Sequence, residues 1–425
     1  MRISKSRHDW KKLSANRWSG SVSEWKTLKL GAAISIKHGF AFKGEYFSDR
    51  GPGPILVTPG NFAIGGGFKE GKAKYYHGPT IAGYGLSPGD LIVTMTDLSK
   101  GGDTLGYPAI VPAGPQYLHN QRIGLVQIKD DSAIDQRFLS YALRTAAYRA
   151  HVLGSATGST VRHTSPSRIE AYSLRVPRLV DQIAIGSVLG SLDDKIAVND
   201  RIATTVRSLA MAKFSSSLMT PGVREVELSE LTSVLVRGIT PQYSEDSDAL
   251  VVVNQKCIRE GQVDLRPARR TLRGRAKAPK LLERNDVLVN STGVGTLGRV
   301  ARWTSTTEAT VDSHVTIVRF DPAQVDPVLG GMALIAAQQE IEMLGEGSTG
   351  QTELSRVRLG SHRLAMPTNQ TAANLRPVID SLESRGDAAI AESAALARLR
   401  DALLPKLMSG DIKVREAERV VEEAI

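Results

Sequence analysis

Pro177-Arg178-Leu179-Val180-Asp181-Gln182-Ile183-Ala184-Ile185-Gly186-Ser187-Val188-Leu189-Gly190-Ser191-Leu192-Asp193-Asp194-Lys195-Ile196-Ala197-Val198-Asn199-Asp200-Arg201-Ile202 is the stretch that decides the architecture. Its apolar positions Ile185, Leu189, Leu192, Ile196 and Ile202 continue to Val206 and Leu209. Spacings of three and four sustained over this length describe one apolar seam on a long helix. A helix over residues 180–218 would measure about 58 Å at about 1.5 Å per residue. Its seam needs covering, and a second candidate lies near the end of the chain, where Ile379, Leu382, Ile390, Leu396, Leu399, Leu403 and Leu407 fall on one face. Pro377 and Gly386 lie within that second run, which predicts a late start or a kink. The economical expectation is an antiparallel pair. Asn199 fills the seam slot between Ile196 and Ile202, either as the polar register-setter of a coiled coil or as a solvated edge position.

Working outward, the helix marker occurs twice: Pro177 to Gln182 has a partner in Pro367-Thr368-Asn369-Gln370, offset by 190 residues in a chain of 425. What precedes each marker also matches. Gly89-Asp90-Leu91-Ile92-Val93 pairs with Asn285-Asp286-Val287-Leu288-Val289, and Tyr117-Leu118-His119-Asn120-Gln121 with Val311-Asp312-Ser313-His314. Val152-Leu153-Gly154 and Met343-Leu344-Gly345 each precede a loop of small residues, at 155–160 and 347–352. The period is too long for a solenoid. Two domain-sized copies imply two equivalent surfaces and a pseudo-twofold internal repeat, which suits a dyadic or two-part partner such as duplex DNA. The fold class expected is α+β, with two mixed α/β domains separated by two long antiparallel helices.

The expected boundaries are an N-terminal extension at 1–23, a first mixed domain at 24–176, a central helical region at 177–221, a second mixed domain at 222–366 and a C-terminal helical region at 367–425. In the first mixed domain, strands are expected at 54–58, 90–95 and 123–128 and one helix at 134–153. In the second, strands are expected at 250–253, 287–289 and 315–320 and one helix at 327–344.

The hydrophobic fraction of 41% and charged fraction of 23% are ordinary, but a formal net charge of +10 favours a polyanionic partner. The excess is clustered. Ten basic residues fall between Lys256 and Arg284 against Glu260, Asp264 and Glu283. The single cysteine, Cys257, read as an inert strand residue, excludes an internal disulfide and fits a reducing cytoplasm. No secretion signal or stretch of about 20 apolar residues is present, so a cytoplasmic protein that does not enter membranes is expected.

The search for catalytic motifs yields nothing. Gly293-Val294-Gly295-Thr296-Leu297-Gly298 satisfies G-x-G-x-x-G, but Arg299-Val300-Ala301-Arg302-Trp303 after it reads as a strand, with no helix N-terminus for a pyrophosphate. There is no P-loop, no Asp/Asn-Pro-Pro-Tyr/Phe and no His-Glu-x-x-His. Ser159, Thr160 and His163 lack a nearby carboxylate to orient them. His119 and His314, each ahead of a strand, read as structural or solvated, or as facing DNA. No catalytic and no metal-ligating residue is assigned.

Pro177-x-x-x-x-Gln182-x-x-Ile185-x-x-x-Leu189-x-x-Leu192-Asp193-x-Lys195-Ile196-x-x-Asn199-x-x-Ile202 resembles the central helical region of the specificity subunits of type I restriction-modification systems. Leu399-Arg400-Asp401-Ala402-Leu403-Leu404-Pro405-Lys406-Leu407-Met408-Ser409-Gly410-Asp411-Ile412 resembles their C-terminal helical region. Trp25-x-x-x-Lys29-Leu30 and Val226-x-Leu228 look like openings of target-recognition domains. The resemblance implies a non-catalytic subunit in which two target-recognition domains each read one half of a bipartite DNA sequence. The helices would set the spacer and dock two methyltransferase subunits, with restriction/translocase subunits joining through them. S-adenosylmethionine, ATP and Mg would belong to those partners, none to this chain. The alternatives are a free-standing restriction-methyltransferase-like enzyme or a non-DNA scaffold protein.

Polar and basic loop residues are the expected contacts to double-stranded DNA. In the first domain these are Lys37, Lys43, Asn61, Lys72, Lys74, Asn120 and Arg122. In the second they are Arg237, Gln242, Tyr243, Lys256, Arg269, Arg270, Arg273 and Lys277.

Overall fold

The computed structural model describes residues 25–71, 73–79, 81–246, 248–346 and 352–425. The extension at 1–23, Lys72 and most of the small-residue loop at 347–352 therefore lie outside the described residues. Two compact units emerge, one containing residues up to Val198 together with Glu392–Ile425, the other Asn199–Ala391.

In the first unit an antiparallel sheet runs in the order Ile34–His38, Ile123–Ile128, Leu91–Thr94, Pro108–Ile110. Leu91, Ile92 and Val93 are all buried because both faces of this sheet are covered. Leu91 and Val93 share a core with Phe138 and Leu139 of the helix Gln136–Ala142 and with Tyr148 and Val152 of Ala146–Ser155. Ile92 and Ile123 face the other way, onto Val57 and Tyr117 of an outer sheet. Strands Lys26–Lys29 and Ser173–Val176 pair antiparallel, Lys26 opposite Val176, and tie the ends of this mixed domain together.

The second unit repeats the plan. Its antiparallel sheet runs Thr232–Arg237, Val315–Phe320, Val287–Asn290, Val300–Arg302. Val287, Val289 and Val318 pack on Val328, Leu329 and Met332 of the helix Pro327–Ala336. Leu288 and Ile317 point oppositely, toward Val253 and Val311. Arg224–Glu227 pairs with Arg363–Met366, so this domain is also tied at its ends.

Neither mixed domain has the single helix expected. Ala142 ends the first helix, and Thr145 caps the next: its hydroxyl donates to Ala142 O and its side chain accepts from Tyr148 N. The second domain breaks similarly into Pro327–Ala336 and Gln338–Met343. Cys257 is buried in a short 3-10 turn, Gln255–Cys257, rather than in a strand.

The two long helices are Leu179–Ser217, 39 residues, and Asn369–Ser409, 41 residues. Within the first unit, Leu189 and Leu192 share a core with Leu396, Leu403 and Leu407. Asp193 meets Arg400 and Lys195 meets Glu392, so the helices run antiparallel there. Within the second unit, Val206 meets Gly386 while Ala210 and Phe214 share a core with Leu375 and Ile379, so the helices are antiparallel there too. Asn199 is buried, at 2% exposure, which removes the solvated-edge reading. The second helix starts at Asn369 and continues through Pro377 and Gly386, contrary to the expected late start. A further helix, Val414–Ala424, buries Ala417 and Val421 in the first unit's core.

An ion cluster fixes the first long helix to its mixed domain. Asp193 accepts from Tyr141 Oη at 2.7 Å, Arg144 Nη1 at 3.1 Å and Arg400 Nη1 at 2.6 Å. Burial raises the Asp193 pKa, but Arg144 and Arg400 outweigh it and hold the carboxyl below the usual range.

Candidate nucleic-acid interface

Each unit carries an outer sheet beside its core sheet, and the predicted site residues concentrate there. In the second unit the outer sheet runs Arg269–Thr271, Leu250–Val253, Ala309–Val311. Buried Thr271 organises its edge: the hydroxyl accepts from Gln242 N at 2.9 Å and donates to Gln242 O at 2.8 Å. This clamp sets Tyr243 beside the strand as a bridge to Thr271. The Arg269 guanidinium then lies 3.4 Å from the centroid of the Tyr243 ring.

The other basic residues divide by partner. Arg270 donates to Ala249 O at 3.1 Å, and Arg273 pairs with Glu308 at 2.5 Å. Lys256, Arg269, Arg275 and Lys277 are exposed, and among the described residues no carboxylate pairs with any of them. Arg237 is not at this edge. Its guanidinium donates to Ser313 O, Glu353 Oε1 and Leu354 O, which fastens the segment at Glu353 and Leu354 to the core sheet.

In the first unit the outer sheet runs Phe47–Ser48, Tyr75–Tyr76, Ile55–Val57, Tyr117–His119, Gly85–Leu86. Lys74 sits with its ammonium 5.2 Å from the Phe47 ring centroid, and Lys37 4.6 Å from that of Tyr84. Lys37 also donates to Gly83 O at 2.6 Å. Lys43 is exposed and lies 3.7 Å from Glu45. Arg122 is exposed at the tip of the loop before Ile123–Ile128, and its N–H donates to Asn120 Oδ1 at 3.4 Å.

Asn61 does not face outward. It is buried, accepts from Thr58 N at 2.9 Å and closes the turn Pro59–Asn61. The amide oxygen that could read a base is engaged inside the fold. His119 is likewise fully buried with Nε2 2.9 Å from Ile123 O, and burial lowers its pKa. His314 is exposed, Nδ1 2.8 Å from Thr292 Oγ1.

The glycine motif is a hairpin loop. Gly293, Gly295 and Gly298 have φ of 103°, 70° and 80°, and the strand Val300–Arg302 follows. Asp97 organises the corresponding loop of the first unit, accepting from Ser99 N and from the backbone and hydroxyl of Thr104. Burial pushes the Asp97 pKa up, and these hydrogen bonds more than offset it, leaving it lowered. His163 is held by Thr96, Nδ1 to Oγ1 at 3.2 Å. Among the described residues no group of three or more His, Cys, Asp or Glu side chains is placed to hold a metal, and no helix is long and apolar enough to cross a membrane.

No protein-family model matches the chain. A curated relative, the type I restriction enzyme EcoBI specificity subunit of Escherichia coli, is 24% identical over 310 residues. That match covers 65% of this chain and 61% of the relative, so the chain spans under two thirds of the relative's length. The solved S subunit of the type I restriction-modification system of M. genitalium superposes with a TM-score of 0.54 at 14% identity, covering 91% of this chain and 97% of that one. The chain has the fold of a type I specificity subunit. Within this specificity-subunit fold the paired long helices and the doubled mixed domains have a common account, while the outer sheets differ, with five strands in the first unit and three in the second among the described residues.

The aromatic partners Phe47 and Tyr84 were not legible in the sequence. Their pairing with Lys74 and Lys37 depends on segments that meet only in the fold, which no local pattern announces.

Proposed function

We propose that this chain is the DNA-recognition subunit of a type I restriction-modification complex and catalyses nothing itself. Each mixed domain would take one half of a bipartite duplex target, and the long helices would set the spacer and dock two methyltransferase subunits. Restriction/translocase subunits would join through those. S-adenosylmethionine, ATP and Mg would be brought by the partner subunits.

The observation that carries this reading is the doubled plan: two mixed domains whose four-stranded core sheets share one strand order, each followed by a long helix, with outer-sheet edges that are differently composed. Similar scaffolds with unlike edges suit a target whose halves differ. Lys256, Arg275 and Lys277 are suited to phosphate, which positions a protein on DNA without reading sequence.

Methylome sequencing of cells with and without the gene tests the reading. Loss of one bipartite methylation motif is the expected result. An unchanged methylome, or methyl transfer to DNA by the purified chain alone, would overturn it.

A further inference from the structure

Strand registers align the two outer sheets position by position. In the first unit Ile55 is opposite Tyr75 on one side and Tyr117 on the other. In the second Val251 is opposite Arg270 and Ala309. The parallel bridges Phe40 to Asn120 and Ile239 to Asp312, each one residue beyond the last strand pair, fix the alignment independently. Tyr75 therefore corresponds to Arg270, and Lys74 to Arg269. Next, Phe47 pairs with Tyr76, and Tyr243 bridges Thr271, so Phe47 corresponds to Tyr243. Both units thus place a cation over an aromatic ring at one and the same position, Lys74 on Phe47 at 5.2 Å and Arg269 on Tyr243 at 3.4 Å. No local sequence similarity joins Lys74-Tyr75-Tyr76 to Arg269-Arg270-Thr271.

Stacking a guanidinium on a ring restrains its plane and leaves its N–H edge open for a bidentate partner. Arg269 meets those conditions: it is exposed, it is stacked, and no described carboxylate neutralises it. The acceptor pair matching a guanidinium fork in duplex DNA is guanine O6 and N7 in the major groove.

We propose that Arg269, positioned by Tyr243, specifies one guanine in the half-site read by the second unit. The inference rests on the DNA-recognition reading above. Lys74 on Phe47 occupies the corresponding place in the first unit with a point charge, so the two halves are read by different chemistry at this position.

The test is methylome sequencing in cells expressing the wild-type gene, Arg269→Ala, Tyr243→Phe or Lys74→Ala in place of the original. Arg269→Ala is expected to relax one guanine in one half of the motif, by about tenfold to a hundredfold in preference over other bases, leaving the other half and the spacer unchanged. Tyr243→Phe keeps the ring and is expected to keep the motif. Any change caused by Lys74→Ala is expected in the opposite half only. A motif identical to wild type in Arg269→Ala, or relaxation at a base pair that is not G·C, would overturn the proposal. If the wild-type gene itself confers no bipartite motif, the DNA-recognition reading fails instead, which keeps the two failures distinct.

Discussion

Asp193 holds three elements at one carboxylate: Tyr141 and Arg144 from the mixed domain and Arg400 from the second long helix. Arg144 is only 7% exposed in its side chain, so removing its partner leaves a charge with little access to water. Asp193→Ala is expected to destabilise the first unit by about 3 kcal/mol, read as a lowered midpoint in urea unfolding. Because the Asp193 pKa is lowered in the fold, its contribution is complete above the unfolded value near about 3.9 and is lost as pH falls through the folded value. His119 makes a second pH statement. Its folded pKa is lowered by burial, so the fold favours neutral imidazole, and this contribution is present above about 6.5 and fades as pH falls. His119→Gln is expected to reduce the stability slope immediately below that pH; an unaltered slope would assign it to other groups. Neither role was legible from sequence, where Asp193 stood only as part of the helical signature and His119 was structural, solvated or DNA-facing. Asn61 shows the same limit, since only the turn it closes reveals that its amide faces inward.

The long helices were the most legible elements, because a seam repeating every three or four residues leaves few alternatives. What the period did not convey is how small residues permit close approach. A side chain at Gly186 would place its Cβ 2.9 Å from Phe138 N, and Gly386 is buried with its Cβ position 3.1 Å from Val206. Gly386 therefore reads better as a contact glycine than as a breaker. Pro377 is tolerated for a different reason: it and Ala373, whose carbonyl loses its intrahelical donor, both lie on the exposed face where water can serve. The two units solve one contact differently. Asp135 and Asp326 cap the corresponding mixed-domain helices, and against them the long helices present Gly186 in one unit and Arg376, bonded to Asp326 at 2.9 Å, in the other. Gly186→Ala gains about 1 kcal/mol of helix propensity, but its methyl meets backbone that cannot swing aside. The close contact is expected to win, with a net loss of about 1–3 kcal/mol. A variant melting at or above the wild-type temperature would show that the helix shifts freely there.

For the whole molecule the net charge of +10 is an average over unequal roles. Charge clustering was readable in the sequence and pointed to the segment from Lys256 to Arg284. Which of those cations remain available was not, because the answer lies in partners distant along the chain: Glu308 takes Arg273, Ala249 O takes Arg270, and Gly238 O takes Lys280. Among the cations that no described carboxylate pairs, Arg269 is stacked on a ring, while Lys256, Arg275 and Lys277 are exposed without such a constraint. A cation free to follow a phosphate contributes affinity without sequence preference, and each phosphate contact adds about 0.9 to the slope of log affinity against log salt. Replacing Lys256, Arg275 and Lys277 together by Ala in the assembled complex is therefore expected to weaken DNA binding at low salt and lower that slope by about 3 if all three contact phosphate. The methylated motif should stay the same. Fluorescence anisotropy across a salt series measures the slope, and methylome sequencing measures the motif. A changed motif would move these residues from holding the backbone to reading bases, and an unchanged slope would place the backbone away from this edge.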